Sequence, residues 1–144
     1  MRWVVGLLSC VLAGPAAGWE FSPLPVCTLT HEGAGAVLRI TRDPGLAEPY
    51  ELSIARAAGW SESPGLAIRF DGPRALTIGT DRHRLSEDGT TLSVTDRGFG
   101  NVLDGLEFNA TATALAGGDA VVFNLEDAAE PVRAFRDCRE APLS

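Results

Sequence analysis

Past residue 25 the chain runs as short stretches in which apolar and polar residues alternate, each stopped by turn-forming residues. Val26-Cys27-Thr28-Leu29-Thr30-His31 alternates in part and stops at Glu32-Gly33-Ala34-Gly35. Ala36, Leu38 and Ile40 share one face of the next run, which Asp43-Pro44-Gly45 ends as a turn. Residues 50–54 and 66–70 alternate cleanly, the second stopping at Asp71-Gly72-Pro73. Leu76-Thr77-Ile78 follows, then a polar stretch over 80–85, the turn Glu87-Asp88-Gly89 and the run Leu92-Ser93-Val94-Thr95. Successive side chains of a strand point to opposite faces, so this period predicts half-buried antiparallel strands.

Two segments depart from period two. Phe99, Val102, Leu103 and Leu106 have helical spacing, with Asn101 as the expected cap and Gly105 expected to keep the helix short. After a hairpin over 111–115 and 121–125, turning at Gly117-Gly118-Asp119, Val132, Phe135 and Cys138 fall on one face of a terminal helix starting near Pro131. The expected fold is mainly β: an antiparallel sandwich or barrel with one short internal helix and a C-terminal helix.

The first eighteen residues read differently. Met1 and Arg2 precede an apolar run from Trp3 to Ala13, and small residues at Ala16 and Gly18 set up a cut before Trp19. That is the layout of a secretory signal peptide, so the expected division is a signal over 1–18 and one β-rich domain over 19–144. The run is too short to span a bilayer, which takes about 20 residues, and no membrane span is expected. Leu7-Leu8-Ser9-Cys10 leaves lipidation at Cys10 as an alternative. Removing the signal leaves two cysteines, Cys27 and Cys138, and two cysteines in an exported chain most simply pair. The bridge closes the fold from its N-terminal to its C-terminal end, with a nominal loop-closure contribution of about 4.7 kcal/mol. Periplasm and extracellular space are equally compatible with it.

Of the 144 residues, 19 are Asp or Glu and 12 are basic; all the basic ones are Arg, and the net charge is −7. The absence of lysine excludes Schiff-base chemistry and the P-loop phosphate clamp, and the acidic balance disfavours nucleic acid as a partner. The most polar cluster is Arg82-His83-Arg84, with Arg74 upstream. On a strand Arg82 and Arg84 would share one face and grip a carboxylate or phosphate, and Asp81 or Asp96 could orient His83 as a base. The plainer reading is an edge strand kept soluble by charge. Asp81 and His83, with His31-Glu32, offer too little ligand spacing for a metal, and no metal or other cofactor is expected. Gly-x-Ser-x-Gly is missing, so a nucleophile elbow is not expected. Asn109-Ala110-Thr111 matches a glycosylation acceptor, read as chance in a composition typical of a GC-rich bacterial genome. Trp19, Phe21 and Trp60 are either core or aromatic anchors for a partner.

Trp19-Glu20-Phe21-Ser22-Pro23, Cys27, the stretch Ile78-Gly79-Thr80-Asp81-Arg82-His83-Arg84-Leu85 and the run from Gly98 to Asn109, through to Cys138, resemble a group of small alphaproteobacterial exported proteins. Some of that group bear the label of the helicase-like component of excinuclease ABC. This chain contradicts the label, being far too short for such a repair protein and having no Gly-x-x-x-x-Gly-Lys-Ser/Thr. A fainter similarity is to the invasion-associated locus B family, which implies an exported β-rich domain. The expected role is a non-catalytic envelope module that binds a protein partner or an anionic ligand. The alternative is a small periplasmic hydrolase using His83 with an acidic partner.

Overall fold

The alternating runs pair as antiparallel ladders because each has one apolar face to bury and a backbone whose polar groups need partners. The computed structural model describes residues 18–138; the expected export segment and Cys10 lie outside them, apart from Gly18. The strands are β1 (Gly18–Ser22), β2 (Cys27–Gly33), β3 (Ala36–Arg42), β4 (Tyr50–Arg56), β5 (Leu66–Asp71), β6 (Leu76–Thr80), β7 (Arg84–Leu85), β8 (Thr91–Asp96), β9 (Thr111–Ala116) and β10 (Asp119–Asn124). Helix α1 (Gly100–Phe108) precedes β9, and α2 (Ala129–Asp137) follows β10. One sheet has the order β1-β2-β3-β4-β8-β7 and the other β10-β9-β5-β6, every pairing antiparallel.

The two sheets enclose one core. Leu29, Leu38, Ile40, Leu52, Ile54 and Leu92 come from the larger sheet, Leu66, Ile68, Phe70, Val121 and Phe123 from the smaller. In the smaller sheet Ala112 stands in register between Phe70 and Phe123, and Ala114 beside Ile68. A small residue between two large ones leaves the rings room to enter the core at full density. Trp19 and Trp60 are core residues rather than exposed anchors, and Phe21 packs half-buried against the same cluster. The Trp19 indole donates to the Asn124 carbonyl (2.9 Å), tying edge strand β1 to edge strand β10 and closing one side of the sandwich.

Both helices cover the core, and the expected cap of α1 is the one detail of their placement that differs. Phe99, not Asn101, is the residue before α1, and no side chain caps that end. The helix is short as expected, at nine residues, and Gly105 lies inside it rather than at its end. Its position is dictated by packing instead: a Cβ there would stand 2.5 Å from the ring of Phe70. Finally, α2 begins at Ala129, so Pro131 is its third residue, still within the turn whose N–H groups have no helical partner. Val132 and Phe135 of α2 are buried, and Arg136 reaches Asp104 (2.5 Å) and Glu107 (3.1 Å) of α1.

The cysteines pair as expected. Cys27 opens β2, Cys138 follows α2, and their bridge spans a sequence separation of 111. No helix among the described residues is long and apolar enough to cross a membrane. The fold is therefore an antiparallel two-sheet β structure with one internal and one C-terminal helix, closed by an N-to-C disulfide.

Candidate functional site

On the side opposite Trp19 the chain itself crosses from β6 of the smaller sheet to β7 of the larger one. Between edge strand β6 and strands β4 and β8 lies a cleft of about 620 Å3 whose floor is Leu52, Leu66, Ile68, Ile78, Val94 and Phe99. That volume falls in the range of sites that bury a small molecule or a few side chains. The start of α1 forms one lip through Gly98, Gly100 and Asn101, and a Cβ at either glycine would meet nothing within 4 Å. Thr80, Asp81, Arg82 and Asp96 form the polar rim.

Arg82 belongs to this rim, but its guanidinium is already engaged. It lies 3.4 Å from Asp96 and 3.7 Å from Glu48, and Glu48 also accepts from the Thr95 hydroxyl. Two carboxylates thus hold this cation, and Asp81 adds a third acidic side chain to the rim, so these four side chains are net negative. Arg82 and Arg84 do not share a strand face. The chain crosses between the sheets over 81–83, and pairing with β8 starts only at Arg84. Arg84 is exposed on a two-residue edge strand, close to the plainer expectation of a charged edge. Arg74 lies at the far end of β6 from Arg82, its guanidinium 4.2 Å above the Phe108 ring. Arg74, Arg82 and Arg84 therefore do not converge.

His83 faces a second, shallower pocket with Ser61, Glu62 and Ser63. A serine, a histidine and a carboxylate in one recess are the components of a hydrolytic site, so their bonds decide the matter. His83 Nε2 lies 2.9 Å from the Ser63 carbonyl, which can only accept, so Nε2 donates this bond. Nδ1 is buried and has no partner among the described residues. The Ser63 hydroxyl donates to Gly65 O (2.8 Å), and the Ser61 backbone N–H donates to Asp119. Neither hydroxyl meets the ring, and neither Asp81 nor Asp96 hydrogen-bonds to it among the described residues. The bonds pin residues 61–65 to the chain crossing at His83.

Asp119 pins the same loop from the other side, accepting from the Ser61 backbone N–H (2.8 Å) and facing Arg56 (3.4 Å). These contacts, the Ser61 N–H foremost and Arg56 after it, hold its carboxyl below the ordinary value. A carboxyl depressed in the folded state adds stability above its unfolded value near 3.8, lost as pH falls through the lower folded value. In Asp119→Asn, the fall in thermal midpoint between pH 5 and pH 2 should be shallower than in the wild type. A fall as steep as the wild type's would remove Asp119 from the account.

His31 stands on β2, four strands from β7, so His31-Glu32 and Asp81/His83 do not meet. The ring of His31 is buried, stacked on Trp19 at 4.5 Å and edge-on to Phe123 at 5.7 Å. Asn109 is also buried, and its amide is a structural clamp. Its Oδ1 accepts from Arg74 N (2.9 Å), while Nδ2 donates to Arg74 O (2.9 Å) and to Gly105 O (3.0 Å). It thereby satisfies a free carbonyl near the end of α1 and fixes the β5–β6 turn. Gly72 in that turn has φ 151°, and a Cβ on it would stand 2.7 Å from Ala110 N. Sequence reasoning missed the cleft, whose floor is gathered from β4, β5, β6, β8 and the entrance to α1. Only the glycines flanking Phe99 hinted at an open lip. Compared with known proteins, the chain matches no family model, no curated protein and no solved structure.

Proposed function

We propose that this protein is a non-catalytic binding module of the bacterial envelope that grips a protein partner through the cleft between its two sheets. The single observation that carries the reading is a cleft of about 620 Å3 beside edge strand β6, lined by apolar side chains of which Ile78 and Val94 are the more exposed. Leu, Ile, Val and Phe surfaces gain roughly 25 cal/mol for each Å2 removed from water, so such a floor favours apolar side chains of a partner. An anionic ligand fits less well, because Arg82 is held between Glu48 and Asp96 and the mouth is net negative. Export rests on the N-terminal signal pattern, with which the Cys27–Cys138 bridge agrees. A hydrolase would need a ring nitrogen of His83 to face a nucleophile, whereas Nε2 meets the Ser63 carbonyl and Nδ1 is buried.

The test places a photo-crosslinking amino acid at Asn101, exposed on the lip, and in a separate chain at Val122, exposed on β10. Irradiation of intact cells should give a discrete product from position 101 only, lost when Gly98→Leu is added to close the lip. Equal capture from both positions, or capture indifferent to Gly98→Leu, would overturn the reading. So would the absence of any product.

A further inference from the structure

The cleft lies beside a strand edge unlike the others. Four strands end the two sheets: β1, β7, β10 and β6. An exposed edge is a template for pairing with another chain, and proteins guard such edges with charge, proline or extreme shortness. β1 carries Glu20, β10 begins with Asp119, and β7 has two residues, one of them Arg84. β6 reads Leu-Thr-Ile-Gly-Thr, with neither a charge nor a proline. Among the described residues it pairs with β5 alone. Its Ile78 and Thr80 line the cleft, so the free backbone edge and the apolar floor adjoin.

From this juxtaposition we infer that the partner binds as an extended strand added to the free edge of β6, its alternate apolar side chains entering the cleft. This rests on the cleft being the binding site. Strand addition takes affinity from main-chain hydrogen bonds and selectivity from pockets that receive every second side chain. β6 offers five residues of edge, about 16 Å, enough for two or three inward side chains over Ile78, Val94 and Phe99. The mouth sets the flank. Glu48, Asp81 and Asp96 outnumber Arg82, so the incoming segment carries a Lys or Arg beside its apolar residues.

The experiment selects random peptides displayed on phage against the full chain with its disulfide intact. Selected peptides should alternate apolar and polar residues, with a basic residue at one flank. Synthetic versions should bind at least about tenfold more weakly to Gly98→Leu. They should also lose at least about tenfold on N-methylation of alternate residues and tolerate it between them, since only every second N–H faces β6. Peptides without alternation, uniform sensitivity to methylation, or no enrichment would each overturn strand addition. A second probe separates the two readings: a nonionic detergent with a dodecyl chain, followed by the amide resonances of Ile78 and Val94. Should it shift them in the wild type and not in Gly98→Leu while no peptide is selected, the cleft stands and strand addition falls. Should neither probe bind, both fall.

Discussion

Converting both Cys27 and Cys138 to alanine should lower the unfolding free energy by about 2–5 kcal/mol and the thermal midpoint by on the order of 10 °C. The bridge closes a sequence separation of 111, so most of its effect falls on the unfolded chain, whose ends it keeps together. There is a native-state part as well. Nine-residue α2 is too short to persist alone in water and is held by Val132, Phe135, the Arg136 ion pairs and the covalent tie. Hydrogen exchange on the reduced protein should therefore speed up first in α2 and in β1 and β2, against which it packs. Urea unfolding with and without reductant measures the main effect. A midpoint unchanged on reduction would show that the bridge constrains nothing in the unfolded ensemble.

Gly105→Ala is expected to destabilise by about 1–3 kcal/mol, although alanine is the better helix former by roughly 1 kcal/mol. The opposing terms are unequal because the new methyl carbon would stand 2.5–2.6 Å from three ring atoms of Phe70, itself 0% exposed. The ring has no solvent-facing direction in which to move, so α1 must lift from β5 or the rotamer must strain. A double-mutant cycle checks this contact. Phe70→Leu alone should destabilise by leaving part of the ring volume empty, while in the pair the alanine should cost clearly less than in the wild-type background. Strict additivity would mean that Gly105 is there for some reason other than Phe70.

Much of the fold was legible because the relevant signals are local. The faces of β3 and β5 follow from Ala36, Leu38 and Ile40 and from Leu66, Ile68 and Phe70, and the hairpin of β9 and β10 follows from Gly117-Gly118. The Arg82-His83-Arg84 segment misled because alternation of charge there is not alternation of face. The chain leaves one sheet and joins the other across those residues, so only Arg84 is in a strand. The roles of Gly105 and Asn109 were not legible, for a related reason. A glycine in a helix reads locally as a weak point and Asn-x-Thr reads as an acceptor, yet here one makes room for a ring and the other clamps three backbone groups.

Period two in the residue pattern was sufficient for the antiparallel strands, since each side chain's face depends only on its parity. Two cysteines in a chain bearing an export pattern were likewise sufficient for the pairing of Cys27 with Cys138. Which strands ended the sheets, and which edge lay bare beside an apolar floor, depended on residues from Leu52 to Val102 brought together across the core. Closure of one side by Trp19 on Asn124 and the cleft left beside β6 on the other are properties of how two twisted sheets meet. No stretch of sequence carries that information by itself, and the cleft exists only once both sheets are in place.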